Sequence, residues 1–271
     1  MSGSTEGPEH DAGLDDGPAR VSRARGDGGE GGASEGGRAD GLTVGDRAED
    51  GLGVGEQLAL LGHLIAESPH NLVSARDRGL LDSVHIPECV AVVEAIHAGD
   101  GQHWIDLGTG GGLPGLVAAI MRPHVGWTLI DSRQKKVDAV NEFIEILGLE
   151  NARAVAGRAE VLARQEEYRG IYDGVVSRAM ARLDIVAELA RGFLKPRGRL
   201  EVVKGPSIDQ ERGYFQRAAS KLRMRENSTS ALEMSDRGTV IVSLVAKGGP
   251  PTGVPRSDGL PQAKPLGGPK S

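Results

Sequence analysis

A run of seven residues, Asp106 to Gly112, combines an acid with four glycines and follows a short apolar segment. Glycine tolerates positive φ angles and has no side chain, so a ligand can lie directly against the backbone of such a loop. A second acid, Asp131, follows Gly108 by 23 residues and closes the next apolar segment. A carboxylate at that position accepts hydrogen bonds from both ribose hydroxyls of an adenosine group. The spacing therefore predicts a site for NAD, FAD or S-adenosylmethionine, all of which contain adenosine.

Two residues of this region favour S-adenosylmethionine among the three. A dinucleotide needs an open cluster of backbone N–H groups for its pyrophosphate at the start of the following helix. Pro114 has no N–H, and Asp106 would repel a phosphate while attracting the ammonium group of a methionine tail. An ordinary tight strand-to-helix turn is the alternative, but loop, strand and closing acid occur here together and in order.

The segments around the loop alternate between strand-like and helix-like patterns. Beyond Asp131, helices are predicted at Gln134–Leu147, Ala159–Glu167, Leu183–Leu194 and Ile208–Leu222, and strands at Ala152–Ala156, Tyr172–Ser177, Arg199–Lys204 and Thr239–Ala246. Arg223–Ser230 is predicted as a further strand, antiparallel at the edge. This alternation is typical of an α/β, Rossmann-like fold with a mostly parallel sheet and helices on both faces.

In such a sheet the ligand lies beyond the carboxyl ends of the strands, where the strand order reverses. Three more residues follow predicted strands at that edge. We expect the backbone N–H of Ala159 to reach the adenine ring and Glu160 to accept a hydrogen bond from its exocyclic amine. Arg178 should face the mouth of the site and contact the cofactor carboxylate or the substrate.

Five blocks of this chain together resemble one family. They are Asp106–Gly115, Leu129–Ser132 with Lys135 and Lys136, Leu149–Asn151 with Gly157–Glu160, Tyr172–Asp173 leading to Val176–Ala179, and Val202–Gly205. In order and spacing they resemble the 16S ribosomal RNA guanine-N7 methyltransferases of the RsmG (GidB) type, over roughly residues 56–247. The chain departs from the family pattern at His85–Cys89, where many members carry an Asp-Ser pair two residues past the histidine.

The resemblance implies a class I S-adenosylmethionine-dependent methyltransferase fold with a helical N-terminal extension. It implies methylation of N7 of guanine 527 in the 530 loop of 16S ribosomal RNA, presented as naked RNA, as the small ribosomal subunit or as an assembly intermediate. The cofactor contacts implied by the family, with Asp131 added as the ribose acid, are Gly108, Leu113, Asp131, Ala159, Glu160 and Arg178.

This chemistry needs no catalytic proton-transfer residue, because guanine N7 carries an available lone pair before attack. Catalysis would consist of aligning N7, the methyl carbon and sulfur, and of excluding water. Four cations are candidates for RNA phosphate contacts, although isolated cations are also common on solvated surfaces. They are Lys204, Arg237, Arg256 and Lys264.

Composition divides the chain into three predicted regions. Residues 1–52 are predicted to be a disordered acidic tail, since residues 1–50 hold 13 of the 41 glycines and 12 acids against five arginines. Residues 53–248 are predicted to form the methyltransferase domain, with a helical lip at 56–98, and residues 249–271 a Gly/Pro-rich C-terminal tail. The N-terminal tail carries a net charge of −7, and the whole chain carries −6, so the remaining residues are close to neutral. The remainder therefore does not resemble the strongly basic surface of a dedicated nucleic-acid-binding module.

The cysteine, histidine and hydropathy patterns predict where in the cell the protein is found and whether it binds a metal. The single cysteine, Cys89, is predicted to be a small buried apolar residue and excludes an intramolecular disulfide. The histidines lack metal-site spacing, and no apolar run reaches the length of a membrane span, so neither a metal nor a membrane is expected. These features predict a soluble, cytoplasmic protein.

Two alternatives to an enzyme acting on 16S ribosomal RNA follow from the same pattern. One is a class I methyltransferase that acts on another RNA or on a small molecule. The other is a non-catalytic ribosome-assembly factor that keeps the cofactor pocket only as structure, against which the intact glycine loop and Asp131 argue.

Overall fold

The structure is a computed structural model that describes residues 52–232 and 238–269. The predicted acidic tail, except for Leu52, and the RNA-contact candidate Arg237 lie outside these ranges. Within them, one sheet contains β1 His103–Leu107, β2 Gly126–Asp131, β3 Ala152–Ala156, β4 Tyr172–Arg178, β5 Leu194–Lys204, β6 Met224–Ala231 and β7 Val240–Ala246.

The strands lie in the order β3-β2-β1-β4-β5-β7-β6. The first five in this order are parallel to one another, and β7 is antiparallel to both of its neighbours. Chain order reverses between β1 and β4, so the loops that follow these two strands meet at the switch point. The mostly parallel sheet and the antiparallel edge strand predicted at Arg223–Ser230 are both confirmed.

Helices cover both faces of this sheet. They are α1 Val54–Glu67, α2 Ala75–Arg78, α3 Ile86–Ala95, α4 Gly115–Met121, α5 Gln134–Ile146, α6 Ala159–Leu162, α7 Leu183–Arg191, α8 Ile208–Leu222 and α9 Leu260–Ala263. A π-helical turn, Leu81–His85, leads into α3. Pro87 lies in the first turn of α3, where its missing N–H leaves no helical bond unmade.

Alternation along β1 determines which helices cover each side chain. Trp104 belongs to the core shared with α1, α3, α4 and α5, whereas Ile105 and Leu107 belong to the core beneath α6, α7 and α8. Asp106 points to the same face as Trp104 because side chains alternate along a strand. The acid of the glycine loop is therefore completely buried beneath the start of α4.

The C-terminal segment, residues 248–269, packs against the domain, whereas its glycine and proline content indicates an extended tail. The buried guanidinium of Arg191 donates to the carbonyls of Gly248 and Gly249, at 2.6 and 2.5 Å. The N–H of Gly267 donates to Asp184 Oδ2 at 3.0 Å. A segment with little secondary structure leaves its backbone groups available, and buried charged groups of the domain bind them.

Candidate functional site

The glycine loop between β1 and α4 is a close-packed turn. Gly108, Gly110 and Gly112 have φ angles of +77°, +59° and +94°. A side chain at Gly112 would also collide with Leu116, because a β-carbon there would lie 2.4 Å from Leu116 Cδ1. These positions require glycine.

The backbone N–H groups of this loop are almost all bound to protein oxygens. Those of Gly108 and Thr109 donate to Ile130 O, and those of Gly112 and Leu113 donate to Thr109 O. Gly110 and Gly115 donate to the carboxylates of Asp131 and Asp106. In this fully described loop only Gly111 has an N–H without a protein acceptor. The loop therefore offers no amide cluster for a pyrophosphate, as the sequence predicts from Pro114.

Asp106 has one satisfied and one unsatisfied carboxylate oxygen. Its Oδ2 accepts from Thr109 Oγ1 at 2.6 Å and from the N–H of Gly115 at 2.9 Å. Its Oδ1 is buried and has no hydrogen-bond partner among the described residues. Burial raises the pKa of Asp106 from 3.8 to about 6, against the lowering effects of these two hydrogen bonds and of Arg178. A buried oxygen without a donor fits the ammonium group of a methionine tail.

Asp131 ends β2 beside the loop and is partly exposed. It accepts from the N–H of Gly110 at 3.1 Å through Oδ2 and from the N–H of Arg133 at 2.9 Å through Oδ1. Each carboxylate oxygen can accept a second hydrogen bond, so the orientation of Asp131 remains compatible with the predicted contact to ribose.

The other predicted adenine contacts lie at the start of α6. The backbone N–H of Ala159 has no acceptor among the described residues. Glu160, in contrast, is buried and accepts from the N–H of Gly259 at 2.8 Å, a partner that the sequence did not indicate. Burial acts to raise the pKa of Glu160, but hydrogen bonds from backbone N–H groups and the charge of Arg158 lower it overall. Glu160 thus contacts the C-terminal segment, which brings that segment to the predicted adenine end of the site.

Arg178 lies at the carboxyl end of β4 and points toward the N-terminal helices. Its Nη1 is 3.3 Å from Glu88 Oε2, and both side chains are largely buried. Glu88 Oε1 accepts from Thr239 Oγ1 at 2.9 Å. The predicted cofactor or substrate contact of Arg178 would therefore compete with, or add to, an ion pair to α3.

Two neighbours of the loop were missed by sequence reasoning, and a third, Lys136, was noted only as part of the family resemblance. A β-carbon on Gly108 would lie 3.0 Å from Met180 Sδ, and one on Gly111 would lie 3.1 Å from Leu72 Cβ. A β-carbon on Gly110 would lie 3.7 Å from Lys136 Nζ. Leu113, the remaining family contact, is buried. The contact between Leu72 and Gly111 could not be predicted from the sequence, since neither residue type nor spacing indicates it.

Two of the predicted RNA-contact residues have partners within the protein, and their contacts to RNA remain a prediction. Lys204 Nζ donates to Ala181 O and forms an ion pair of 2.8 Å with Glu211 Oε2. Arg256 forms two hydrogen bonds of 2.7 Å with the completely buried Glu188. A contact of either cation with an RNA phosphate would therefore have to compete with an ion pair inside the protein. Lys264 is exposed at the end of α9 and remains a candidate.

Neither a metal centre nor a membrane-spanning helix is found in residues 52–232 and 238–269. There, no group of three or more His, Cys, Asp or Glu side chains is placed to hold a metal ion. No helix in the same ranges combines the length and apolar character needed to cross a membrane. Cys89 is buried as predicted, and burial raises the pKa of its thiol to about 12.

Comparison with known proteins identifies a single family. The family model of rRNA small subunit methyltransferase G (GidB) matches residues 59–240. A ribosomal RNA small subunit methyltransferase G from Deinococcus deserti is 45% identical over 171 residues, which cover 62% of this chain and 70% of that protein. The protein of the same name from Deinococcus radiodurans is 36% identical over 184 residues, covering 67% and 73%.

Solved structures resemble this chain in fold at low sequence identity. The [4+2]-cyclase SpnF has a TM-score of 0.50 and 14% identity, and the match covers 71% of this chain and 93% of that one. An S-adenosylmethionine-dependent methyltransferase from Aquifex aeolicus has a TM-score of 0.48 and 15% identity, with coverages of 64% and 98%.

Proposed function

The chain belongs to the rRNA small subunit methyltransferase G (GidB) family, and we propose that it transfers a methyl group from S-adenosylmethionine to N7 of a guanine in 16S ribosomal RNA. It is an enzyme with the class I methyltransferase fold, and its strand order supports a cofactor site at the switch point of the sheet.

The hydrogen bonding of the glycine loop carries this proposal. A cofactor whose adenosine is linked to its second half through a pyrophosphate would find the N–H groups of the loop already bound to Ile130, Asp131, Thr109 and Asp106. A cofactor with an ammonium group would find the orphaned Oδ1 of Asp106. The same loop therefore disfavours NAD and FAD and suits S-adenosylmethionine.

The protein groups would act by binding and positioning. Asp131 would accept from the ribose hydroxyls, the N–H of Ala159 would donate to adenine, and Asp106 would hold the ammonium end. The cofactor supplies an electrophilic methyl group on a sulfonium. A bond forms between guanine N7 and the methyl carbon while the carbon–sulfur bond breaks, and the electron pair of that bond remains on sulfur. Because N7 has no proton to lose, alignment and exclusion of water are sufficient.

The finer assignment rests on the resemblance. The target would be guanine 527 in the 530 loop, reached in naked RNA, in the small subunit or in an assembly intermediate. A ribosomal RNA substrate and a single buried cysteine support a cytoplasmic location. The target base must be unstacked, since the deep groove of A-form RNA admits no side chain.

The test is methyl transfer by the purified chain. With S-adenosylmethionine labelled in its methyl group, label should enter 16S ribosomal RNA, and borohydride and aniline treatment should then cleave the RNA at the modified guanine. Asp131→Ala should reduce S-adenosylhomocysteine affinity at least tenfold through loss of the ribose contact. Binding of the cofactor without label in RNA, or label only in small molecules, would contradict the proposed substrate. Failure to bind the cofactor would support a structural role for the pocket.

A further inference from the structure

A cavity of about 420 Å³ lies beside the glycine loop, beyond the carboxyl ends of β4 and β5. The loop after β4, the first turns of α7 and α8, and the C-terminal segment form its walls. Met180 lines the cavity and also packs on Gly108 of the loop. The side chain of Met180 thus lies between the cavity and the proposed cofactor site.

One wall of this cavity contains Arg182, whose guanidinium is held by hydrogen bonds that lie in the plane of the group. Arg182 donates through Nε and Nη2 to both oxygens of Asp184, at 2.7 and 3.0 Å. It also donates through Nη1 to Pro269 O at 3.0 Å and through Nη2 to Gly268 O at 2.9 Å. Its guanidinium stacks 3.7 Å from the ring centroid of Tyr214. Tyr214 covers one face of the guanidinium, and four of its five N–H groups are bound, so the opposite flat face is the one on which a nucleobase could stack.

A second wall contains a carboxylate with one oxygen bound and one open. Glu211 Oε2 accepts from the N–H of Leu183 at 2.7 Å and from Lys204 Nζ at 2.8 Å. These two donors come from the start of α7 and the end of β5, so they hold the carboxylate in place. No described residue donates to Oε1 of Glu211. Lys204, which the sequence suggests as a phosphate contact, instead orients this acid.

The open carboxylate oxygen matches one nucleobase. Guanine presents N1–H and an N2 amino group side by side on its Watson–Crick edge, and both are donors. Adenine presents an acceptor at N1, so the same carboxylate would face a lone pair. With the Watson–Crick edge on Glu211, N7 lies on the opposite side of the purine and remains free to react.

We propose that this cavity binds the target guanine, with Glu211 selecting the base through its N1–H and N2 amino groups and Arg182 stacking on its ring. The inference rests on the proposed function for its choice of substrate. It assigns guanine specificity to residues outside the cofactor site. Met180 then lies between the bound base and Gly108, so its side chain must move aside for N7 to reach the methyl group.

Glu211→Gln tests this assignment with little change in shape. The amide oxygen can still accept from Leu183 and Lys204, which leaves an NH₂ group where Oε1 was. That donor would face the donors of guanine. Binding of GMP and of IMP, which lacks the N2 amino group, is measured by equilibrium dialysis with S-adenosylhomocysteine present. Wild type should prefer GMP by about tenfold, and Glu211→Gln should abolish the preference while S-adenosylhomocysteine affinity stays within twofold.

Glu145→Gln, the same change at an exposed position of α5, is the matched control and should keep the GMP preference. Equal binding of GMP and IMP by wild type, or an unchanged preference in Glu211→Gln, overturns the proposal. The wild-type comparison stands even if the variant folds poorly. A protein that prefers GMP as expected but transfers no methyl group to ribosomal RNA contradicts the proposed function and leaves the base assignment intact.

Discussion

At the scale of single residues, the site depends on which polar atoms the fold leaves without partners. Asp106 is the clearest case, because one of its oxygens binds the protein and the other has no donor among the described residues. Burial of that carboxylate without full compensation costs folding free energy. A ligand that donates a hydrogen bond to Oδ1 would recover part of this folding free energy. The same unpaired oxygen therefore lowers stability and favours ligand binding.

Asp106→Asn should separate binding from folding. The amide oxygen can accept from Thr109 and Gly115 as the carboxylate does, but the NH₂ group would face the cofactor ammonium with a second donor. We expect S-adenosylhomocysteine affinity to fall at least tenfold by calorimetry at neutral pH, with a thermal transition no lower than that of wild type. Asp100→Asn, at an exposed position before β1, is the control. Unchanged affinity in Asp106→Asn would exclude an ammonium contact.

The pKa of Asp106 also predicts a pH dependence. Between its usual pKa of 3.8 and the folded value of about 6, the folded protein retains a proton that the unfolded chain has released. The contribution of Asp106 to stability therefore falls as pH rises through this window, by roughly 3 kcal/mol at most, and is level above it. In chemical denaturation, wild type should lose stability relative to Asp106→Asn as pH rises from 4 to 7. Parallel profiles would contradict the raised pKa.

At the scale of elements, the C-terminal segment connects α6, α7 and α8. Its Gly259 binds Glu160 at the start of α6, and its Arg256 binds Glu188 of α7. Its Gly267 accepts from Arg217 of α8 at 2.6 Å and donates to Asp184 of α7. The segment thus closes the domain beside the adenine end of the site and forms part of the proposed guanine cavity.

Arg256→Ala should destabilise the protein rather than weaken RNA binding. It would leave the completely buried Glu188 without its charged partner, which typically costs about 3 kcal/mol or more. Urea denaturation measures this loss. Lys264→Ala, on the exposed end of the same segment, should change stability by less than about 0.5 kcal/mol. If Arg256→Ala keeps wild-type stability but binds ribosomal RNA more weakly, Arg256 is a phosphate contact after all.

At the scale of the whole molecule, charge is unevenly distributed along the chain. Residues 1–50 contribute −7 to a total of −6, so the remaining residues carry about +1. Ribosomal RNA is a polyanion, and a net negative chain approaches it against long-range repulsion. Local cations around the site must therefore act despite the overall charge.

Deletion of residues 1–50 should strengthen RNA binding at low salt. The change removes the net negative charge, and the gain should disappear at high salt because the Debye length shortens. Fluorescence anisotropy with a labelled 16S ribosomal RNA fragment at two salt concentrations measures it. A gain that persists at high salt would indicate direct occlusion of the RNA site, and weaker binding would indicate that the segment itself contacts RNA.

Local sequence patterns were sufficient to predict most strands and helices and the type of cofactor that the glycine loop would bind. Strand and helix periodicity placed Ala152–Ala156 and Ile208–Leu222 at their observed bounds, and Asp106, Pro114 and Asp131 indicated the type of cofactor. Helix bounds were less accurate at α6, which ends at Leu162 rather than near Glu167, because the backbone continues in tighter turns, such as the one closed by the N–H of Gln165 on Leu162 O.

By itself, the sequence determined the α/β architecture, the position of the cofactor loop and the family, since these follow from periodicity, glycine geometry and short motifs. Only the tertiary structure decided which charged groups are free to act. Arg256 and Glu188 are 68 residues apart, and Lys204 and Glu211 belong to different elements, yet each pair is in contact. Whether a cation binds RNA or a buried acid depends on how elements pack, because ion pairs form between neighbours in space and leave no signature in local spacing.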